Sequence, residues 1–351
     1  MPSAFGSKSP ERLIGALPTL EDVAERAGVS TATVSRCLNS PERVQERTRL
    51  RVLRVVDDLG YAPNFGARAL AAKRTNTVAA IIPTMENAIF ARGVQAFQEE
   101  LGRFGQTLLI ASSSYRADLE AEQIKTLVAR GADAFLLIGH DRNPAIYDFL
   151  KRRGVPYLVT WAFDADAEEI SIGFDNRAAM QALAREVLTA GHKRLAVISA
   201  PCATNDRARE RVEGIRAALS EAGLPASDLD VVETEYSVEN GARAFESLMA
   251  HNPRPTAVMC GNDVLAVGAL AGARRMGMDV PGDVSITGFD DIEIAQIVTP
   301  KLTTVHVPHR EMGRQAARLL VEMIDGTTPV TSRRLETSIE LRETLGPPTG
   351  A

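Results

Sequence analysis

Two hydrophobic rhythms divide the chain. From Thr19 to Gly60 apolar residues recur at helical spacing, and from Thr77 onward short apolar runs alternate with amphipathic stretches. In the first region "TLEDVAERAG" predicts a helix. Thr19 can cap it, Asp22 completes a capping box, and Val23, Ala24 and Ala27 form the apolar face. Gly28 suits the left-handed residue that ends it. Ser30 caps a second helix, "TATVSRCLN", after a short turn. A third, "ERTRLRVLRVVDDL", carries Leu50, Val52, Leu53, Val55, Val56 and Leu59 and ends at Gly60. Two short helices around a glycine-containing turn form the helix-turn-helix pattern, which a plain three-helix bundle also satisfies.

In the second region "VAAIIP", "TLLIAS", "DAFLLIG", "PYLVTWA", "RLAVISA", "TAVMCGN" and "DVSITGFD" read as strands. Helical patterns such as "GVQAFQEELGRFG", "LEAEQIKTLVARG" and "NRAAMQALAREVLTAGH" lie between them. This alternation predicts a doubly wound α/β body with parallel sheets. The pattern restarts near "NRAAM", so two similar lobes with a cleft between them are expected. Ligands of such folds bind beyond the carboxyl ends of the strands.

The segment joining the two regions is "YAPNFGARALAAKRT". Asn64 can cap a short helix whose Ala67, Leu70 and Ala71 share one face, with Arg68, Lys73 and Arg74 around it. A helix this short is marginal in water. The stretch reads either as a basic linker or as a hinge that becomes helical only against DNA and a second copy of itself.

Charge sharpens the division. Residues 1–76 hold 12 Lys/Arg against 8 Asp/Glu, whereas the rest hold 28 against 37, so a basic head precedes an acidic body. Within the second helix, Arg36 is surrounded by small or β-branched side chains. That composition suits a face lying against something flat and negatively charged. Residues 1–18, rich in Pro, Ser and Gly, read as a tail without a secretory apolar run. With no membrane-length apolar stretch elsewhere, a cytoplasmic protein is expected. Cys37, Cys202 and Cys260 are scattered, without CxxC spacing, and the five histidines form no metal-ligand pattern. The chain lacks GxGxxG, GxxxxGK[ST] and GxSxG, so no enzyme, cofactor or metal site is expected.

The block "TLEDVAERAGVSTATVSRCLNSPERVQERTRLRVLRVVDDLGYAPNFGARALAAKRT" resembles the lactose-repressor (LacI/GalR) family of bacterial transcription regulators. The resemblance continues through "GHKRLAVISA", "RARERVEGIRAAL", "PTAVMCGNDVLAVGAL", "VPGDVSITGFDD" and "PKLTTVHVPHREMG". It implies a helix-turn-helix domain over 19–63, a hinge over 64–76 and a two-lobed, periplasmic-binding-protein-like body over 77–351. The first lobe would span about 77–173 and 305–331, and the second about 174–304 and 332–344.

The second helix would then lie in the major groove. Small Thr31 and Ala32 would let it approach the bases, and Arg36 would grip a guanine, contributing roughly 1–3 kcal/mol of discrimination. Ser30, Thr33 and Ser35 would contact phosphates. In the hinge, Asn64, Ala67, Arg68 and Leu70 match the family, with Leu70 of each protomer wedging into the minor groove. Paired hinges imply a homodimer on a pseudo-palindromic operator. The same resemblance places Ile89, Phe90, Trp161, Asn205, Arg207, Arg211, Tyr236, Asn262 and Asp290 in an effector cleft. A sugar, sugar acid or sugar phosphate is the implied effector, with a purine or other non-sugar corepressor as the alternative.

Overall fold

The computed structural model describes residues 17–62, 74–86, 88–326 and 329–349. The chain divides into two units at the Thr75/Asn76 junction.

The head consists of α1 (Leu20–Ala27), α2 (Thr31–Asn39) and α3 (Glu46–Leu59). The capping box is present: the Thr19 hydroxyl accepts from the Asp22 backbone, and the Asp22 carboxylate accepts from the Thr19 N–H at 2.7 Å. Gly28 ends α1 at φ +63°, a left-handed conformation that costs glycine little. The core is built by Val23, Ala24, Ala27, Val34, Cys37, Val52, Val55 and Tyr61. Of the apolar residues on α3, Leu50 and Leu53 turn to solvent instead.

The body holds two parallel sheets. In the first, the strands are β1 (Thr77–Ile82), β2 (Thr107–Ser112), β3 (Ala134–Ile138), β4 (Tyr157–Thr160) and β5 (Ser171–Gly173). The second is made of β6 (Leu195–Ser199), β7 (Asp230–Glu233), β8 (Ala257–Cys260) and β9 (Ser285–Thr287), in the order β7-β6-β8-β9. Continuous apolar runs such as "TVAAII" and "AVMC" become strands buried along their whole length, as parallel strands covered on both faces require. β2 departs from that expectation. It is the edge of its sheet, and Leu109 and Ile110 are exposed.

The chain returns to the first lobe through β10 (Thr304–His306) and the helix His309–Asp325. That helix packs on Ala88–Arg103 with Gly313 against the Gly93 carbonyl, where any Cβ would collide. β11 (Arg333–Arg334) then pairs with β5, giving the first sheet the order β11-β5-β4-β3-β1-β2. The boundary expected at 331 is thereby corrected, because residues 333–334 extend the first sheet rather than the second lobe. β12 (Ser338–Glu340) pairs antiparallel with β10, forming a ribbon beside the crossovers. Among the described residues, no helix is long and apolar enough to cross a membrane.

Candidate effector cleft and DNA-reading helix

In the body the predicted residues gather where the strands end. Trp161 follows β4 in a left-handed conformation, φ +60°. Beyond β9, Phe289 and Asp290 (φ +106°) face the helix Asp206–Glu221, which carries Arg211. Arg211 is locked in place. Its Nε donates to Asn176 Oδ1 at 2.9 Å, its Nη1 donates to the Gly261 carbonyl, and its guanidinium lies 3.7 Å above the Phe289 ring centroid. That leaves Nη2 facing Asp290 Oδ1 at 3.9 Å, too far for a hydrogen bond.

Asp290 is fully buried, and neither carboxylate oxygen has a hydrogen-bond partner among the described residues. Burial raises its pKa to about 7 against the pull of Arg211 and Arg207. On its other side stands His309, whose Nε2 is 3.8 Å from Asp290 Oδ1. Burial lowers the His309 pKa to about 3, so the imidazole is neutral, and both its nitrogens are unpartnered. Trp161 Nε1 and Asn262 Nδ2 are likewise buried and unsatisfied. Phe90 meets Trp161 edge to face, with ring centroids 5.3 Å apart. The result is a cage with two aromatic walls, an acceptor and several donors. A buried polar group without a hydrogen-bond partner costs about 1–3 kcal/mol.

The remaining predicted residues differ in what they have left to offer. Asn205 and Asn262 cap helices, their Oδ1 atoms accepting from Ala208 and Leu265 at 3.4 and 2.9 Å. Asn262 keeps its Nδ2 without a partner. Arg207 donates to Asp206 Oδ1 at 2.8 Å, an acid the sequence reading did not weigh. Tyr236 is half-buried beside Tyr115, with centroids 5.9 Å apart. Ile89 is buried in the core of the first lobe. His309 and Phe289 were missed as site residues. The only signals for them were a lone histidine opening "HREMG" and an aromatic beside the predicted Asp290.

In the head, Ser30 Oγ accepts from the Thr33 N–H at 3.2 Å and lies 2.9 Å from the Thr33 hydroxyl. Val34 and Cys37 point inward. Ala32, Ser35, Arg36 and Asn39 share the opposite, solvent-facing side, with Thr31 half-buried at the helix start. Asn39, absent from the prediction, donates to Ser35 Oγ at 3.3 Å. The hinge residues Asn64, Ala67, Arg68 and Leu70 lie outside the described residues.

Comparison with known proteins decides the family. Residues 19–64 match the family described as bacterial regulatory proteins, lacI family, and 184–345 match a periplasmic binding protein-like domain. Catabolite control protein A of Priestia megaterium is 31% identical over 326 residues, 93% of this chain and 98% of its own. The chain belongs to the LacI family. A LacI-family transcriptional regulator from Silicibacter pomeroyi superposes with a TM-score of 0.85 at 28% identity, covering 94% of this chain and 99% of that one. The regulator CelR, solved in complex with cellobiose, aligns with a TM-score of 0.68 at 31% identity, covering 93% and 99%. As a LacI-family member, the protein is a DNA-binding transcription regulator rather than an enzyme.

Proposed function

We propose that this regulator is a repressor that binds a pseudo-palindromic operator as a homodimer and is switched by a carbohydrate held between its lobes. The observation that carries the ligand half is the set of unpartnered atoms around Asp290: its two oxygens, both His309 nitrogens, Trp161 Nε1 and Asn262 Nδ2. A polyol satisfies such a set because each hydroxyl both donates and accepts. One hydroxyl inserted between Arg211 Nη2 and Asp290 Oδ1 would accept from the first and donate to the second. The cellobiose bound to CelR is a ligand of this kind. In the head, α2 presents Thr31, Ala32 and Arg36 to the major groove, while Ser30, Thr33 and Ser35 contact the phosphates. Leu70, with Asn64, Ala67 and Arg68 in the same hinge, inserts into the minor groove.

Dimerisation has its own support. Leu109 and Ile110 on the edge strand β2, with Phe104 before it, leave apolar surface and unpaired strand backbone exposed. An edge of this kind favours pairing with another chain. Effector binding couples to DNA binding by preferring one arrangement of the lobes.

Thermal melting against a panel of sugars tests the reading. A sugar at about 100 times its dissociation constant stabilises the native state by about 2.7 kcal/mol. The expected shift disappears in Asp290→Ala, and the same sugar changes operator affinity in a gel-shift titration. A sugar-induced shift that survives Asp290→Ala would refute this cleft.

A further inference from the structure

Asp290 lies beyond the carboxyl end of its strand. At the opposite, amino ends of β6, β7 and β8, which neighbour one another in the second sheet, lies a separate cavity of about 670 Å3. Three connections enclose it. Residues 193–195 lead into β6, residues 224–230 lead into β7, and residues 251–255 lead into β8. The second connection begins where the helix Asp206–Glu221 has ended. Gly223 turns the chain at φ +68°, and the Leu224 N–H donates back to the Leu219 carbonyl at 2.9 Å. Pro225, Pro253 and Pro255 have no N–H, so these stretches offer the cavity apolar rings rather than donors. The volume falls within the roughly 300–1,000 Å3 of small-molecule sites.

The lining differs in kind from the surroundings of Asp290. Leu195, Leu219 and Leu229 are buried and form an apolar floor, with Leu224 and Pro225 beside them. Among the described residues, none that lines this cavity has a buried side-chain nitrogen or oxygen without a partner. Around Asp290 such orphaned atoms favour a ligand rich in hydroxyls. Here a hydroxyl-rich body would give up its water and find nothing on the floor to replace it, which is costly. The body that fits this floor is apolar.

Charge is confined to the rim. Two bases, Lys193 and Arg194, face two acids, Asp228 and Asp230, but only the acids are engaged. Asp230 Oδ2 lies 2.9 Å from His251 Nδ1, and Asp228 accepts from the Ser227 hydroxyl at 3.0 Å. Arg194 uses its Nε alone, on the Arg254 carbonyl at 3.2 Å. Lys193 has no hydrogen bond or ion pair among the described residues. Both cations are exposed, so an anion meeting them keeps part of its hydration while gaining charge-assisted hydrogen bonds.

We propose that this cavity is a second ligand site, remote from the cleft, for a small carboxylic acid with an apolar body. The aromatic or aliphatic part lies on the leucine floor, and the carboxylate meets Lys193 and Arg194 at the rim. The proposal does not depend on the carbohydrate reading of the cleft.

Titration calorimetry of the full-length protein with three probes that share one body tests it: 4-phenylbutyrate, 4-phenylbutan-1-ol and 4-phenylbutylamine, at one fixed salt concentration. The acid should bind one to one and at least tenfold more tightly than the alcohol or the amine. Lys193→Glu, an exposed change, should weaken the acid at least tenfold. Leu224→Trp, which fills the floor, should abolish binding, its melting temperature showing that it is folded; should it fail to fold, Lys193→Glu decides alone. Trp161, the only tryptophan in the chain, stands beside the cleft, so its emission should stay unchanged as the acid binds. Binding that quenches Trp161 and survives Lys193→Glu would place the acid in the cleft and overturn the second site. An alcohol or amine that binds as tightly as the acid would overturn the role of the two cations. Absence of any binding by 4-phenylbutyrate would overturn the proposal outright, leaving the cleft reading untouched.

Discussion

Arg36 and Arg211 carry the same guanidinium into opposite settings. Arg36 stands exposed on α2 among side chains too small to reach it. Arg211 is buried, held by Asn176, the Gly261 carbonyl and the Phe289 ring. The contrast fits the roles proposed for them. A surface that meets DNA gains from leaving its arginine hydrated and free until the base edge arrives, because the polyanion supplies the counter-charge. A cleft that must recognise a small molecule fixes its donor beforehand, so that little ordering cost remains on binding. One arginine is specified by the absence of neighbours, the other by their number.

The largest effect should come from breaking the fixed arginine. Arg211→Ala removes the only guanidinium among the described residues within 4 Å of the Asp290 carboxyl and strands an acid whose ionisation burial already disfavours. Truncating one partner of a buried charge pair costs about 2–5 kcal/mol, so effector affinity should fall ~30-fold or more in titration calorimetry. The unliganded variant should also melt earlier at pH 8 than at pH 5.5, because losing Arg211 raises the Asp290 pKa further and widens the range over which ionisation favours the unfolded chain. Wild-type effector affinity in Arg211→Ala would mean that the cage is not the binding site.

How far the sequence foretold this pair depends on the kind of signal. β1, β3, β4, β6 and β8 were legible because burial on two faces writes an unbroken apolar run, whereas β5, buried but only three residues long, was not. β7, Asp230–Glu233, was not, since an edge strand half open to solvent can be written "DVVE". β2 was legible as a strand but not as an edge, because nothing local distinguishes a covered "TLLIAS" from an uncovered one. The site behaved similarly. Trp161, Arg211 and Asp290 stood at strand ends or on matched motifs, whereas His309 reaches the cage only because the chain crosses back between lobes. Arg207 was legible as a cleft residue, but its pairing with the adjacent Asp206 is a matter of side-chain direction, which spacing does not encode.

The exposed arginine should break differently. Arg36→Ala removes no packing, so the melting temperature should stay unchanged while operator recognition weakens. If Arg36 reads a guanine, the loss is roughly 1–3 kcal/mol on the specific operator and much less on random DNA, measured at one fixed salt concentration. Equal losses on both sequences would make Arg36 a phosphate contact instead, and α2 would lose its reading role. Replacing Arg211 should leave that ratio unchanged in the absence of effector.

The smallest effect is also the most specific, because it follows the titration of Asp290, the carboxyl that faces the buried arginine. Asp290 has its folded pKa raised to about 7 from 3.8. A raised pKa means stability that is present at low pH and lost as pH climbs toward 7, because the fold disfavours the ionised form. His309, lowered to about 3 from 6.5, works the other way, its contribution being lost only as pH falls below 6.5. A sugar whose hydroxyls donate to the Asp290 carboxylate favours the ionised form. Its affinity should therefore rise from pH 6 to pH 8 by about tenfold, the ratio expected if the bound acid is ionised throughout. In Asp290→Asn that rise should vanish, because the amide does not titrate. A wild-type affinity that is flat between pH 6 and 8, or that falls, would mean that Asp290 binds its ligand as the neutral acid and donates to it, reversing the direction of the central hydrogen bond.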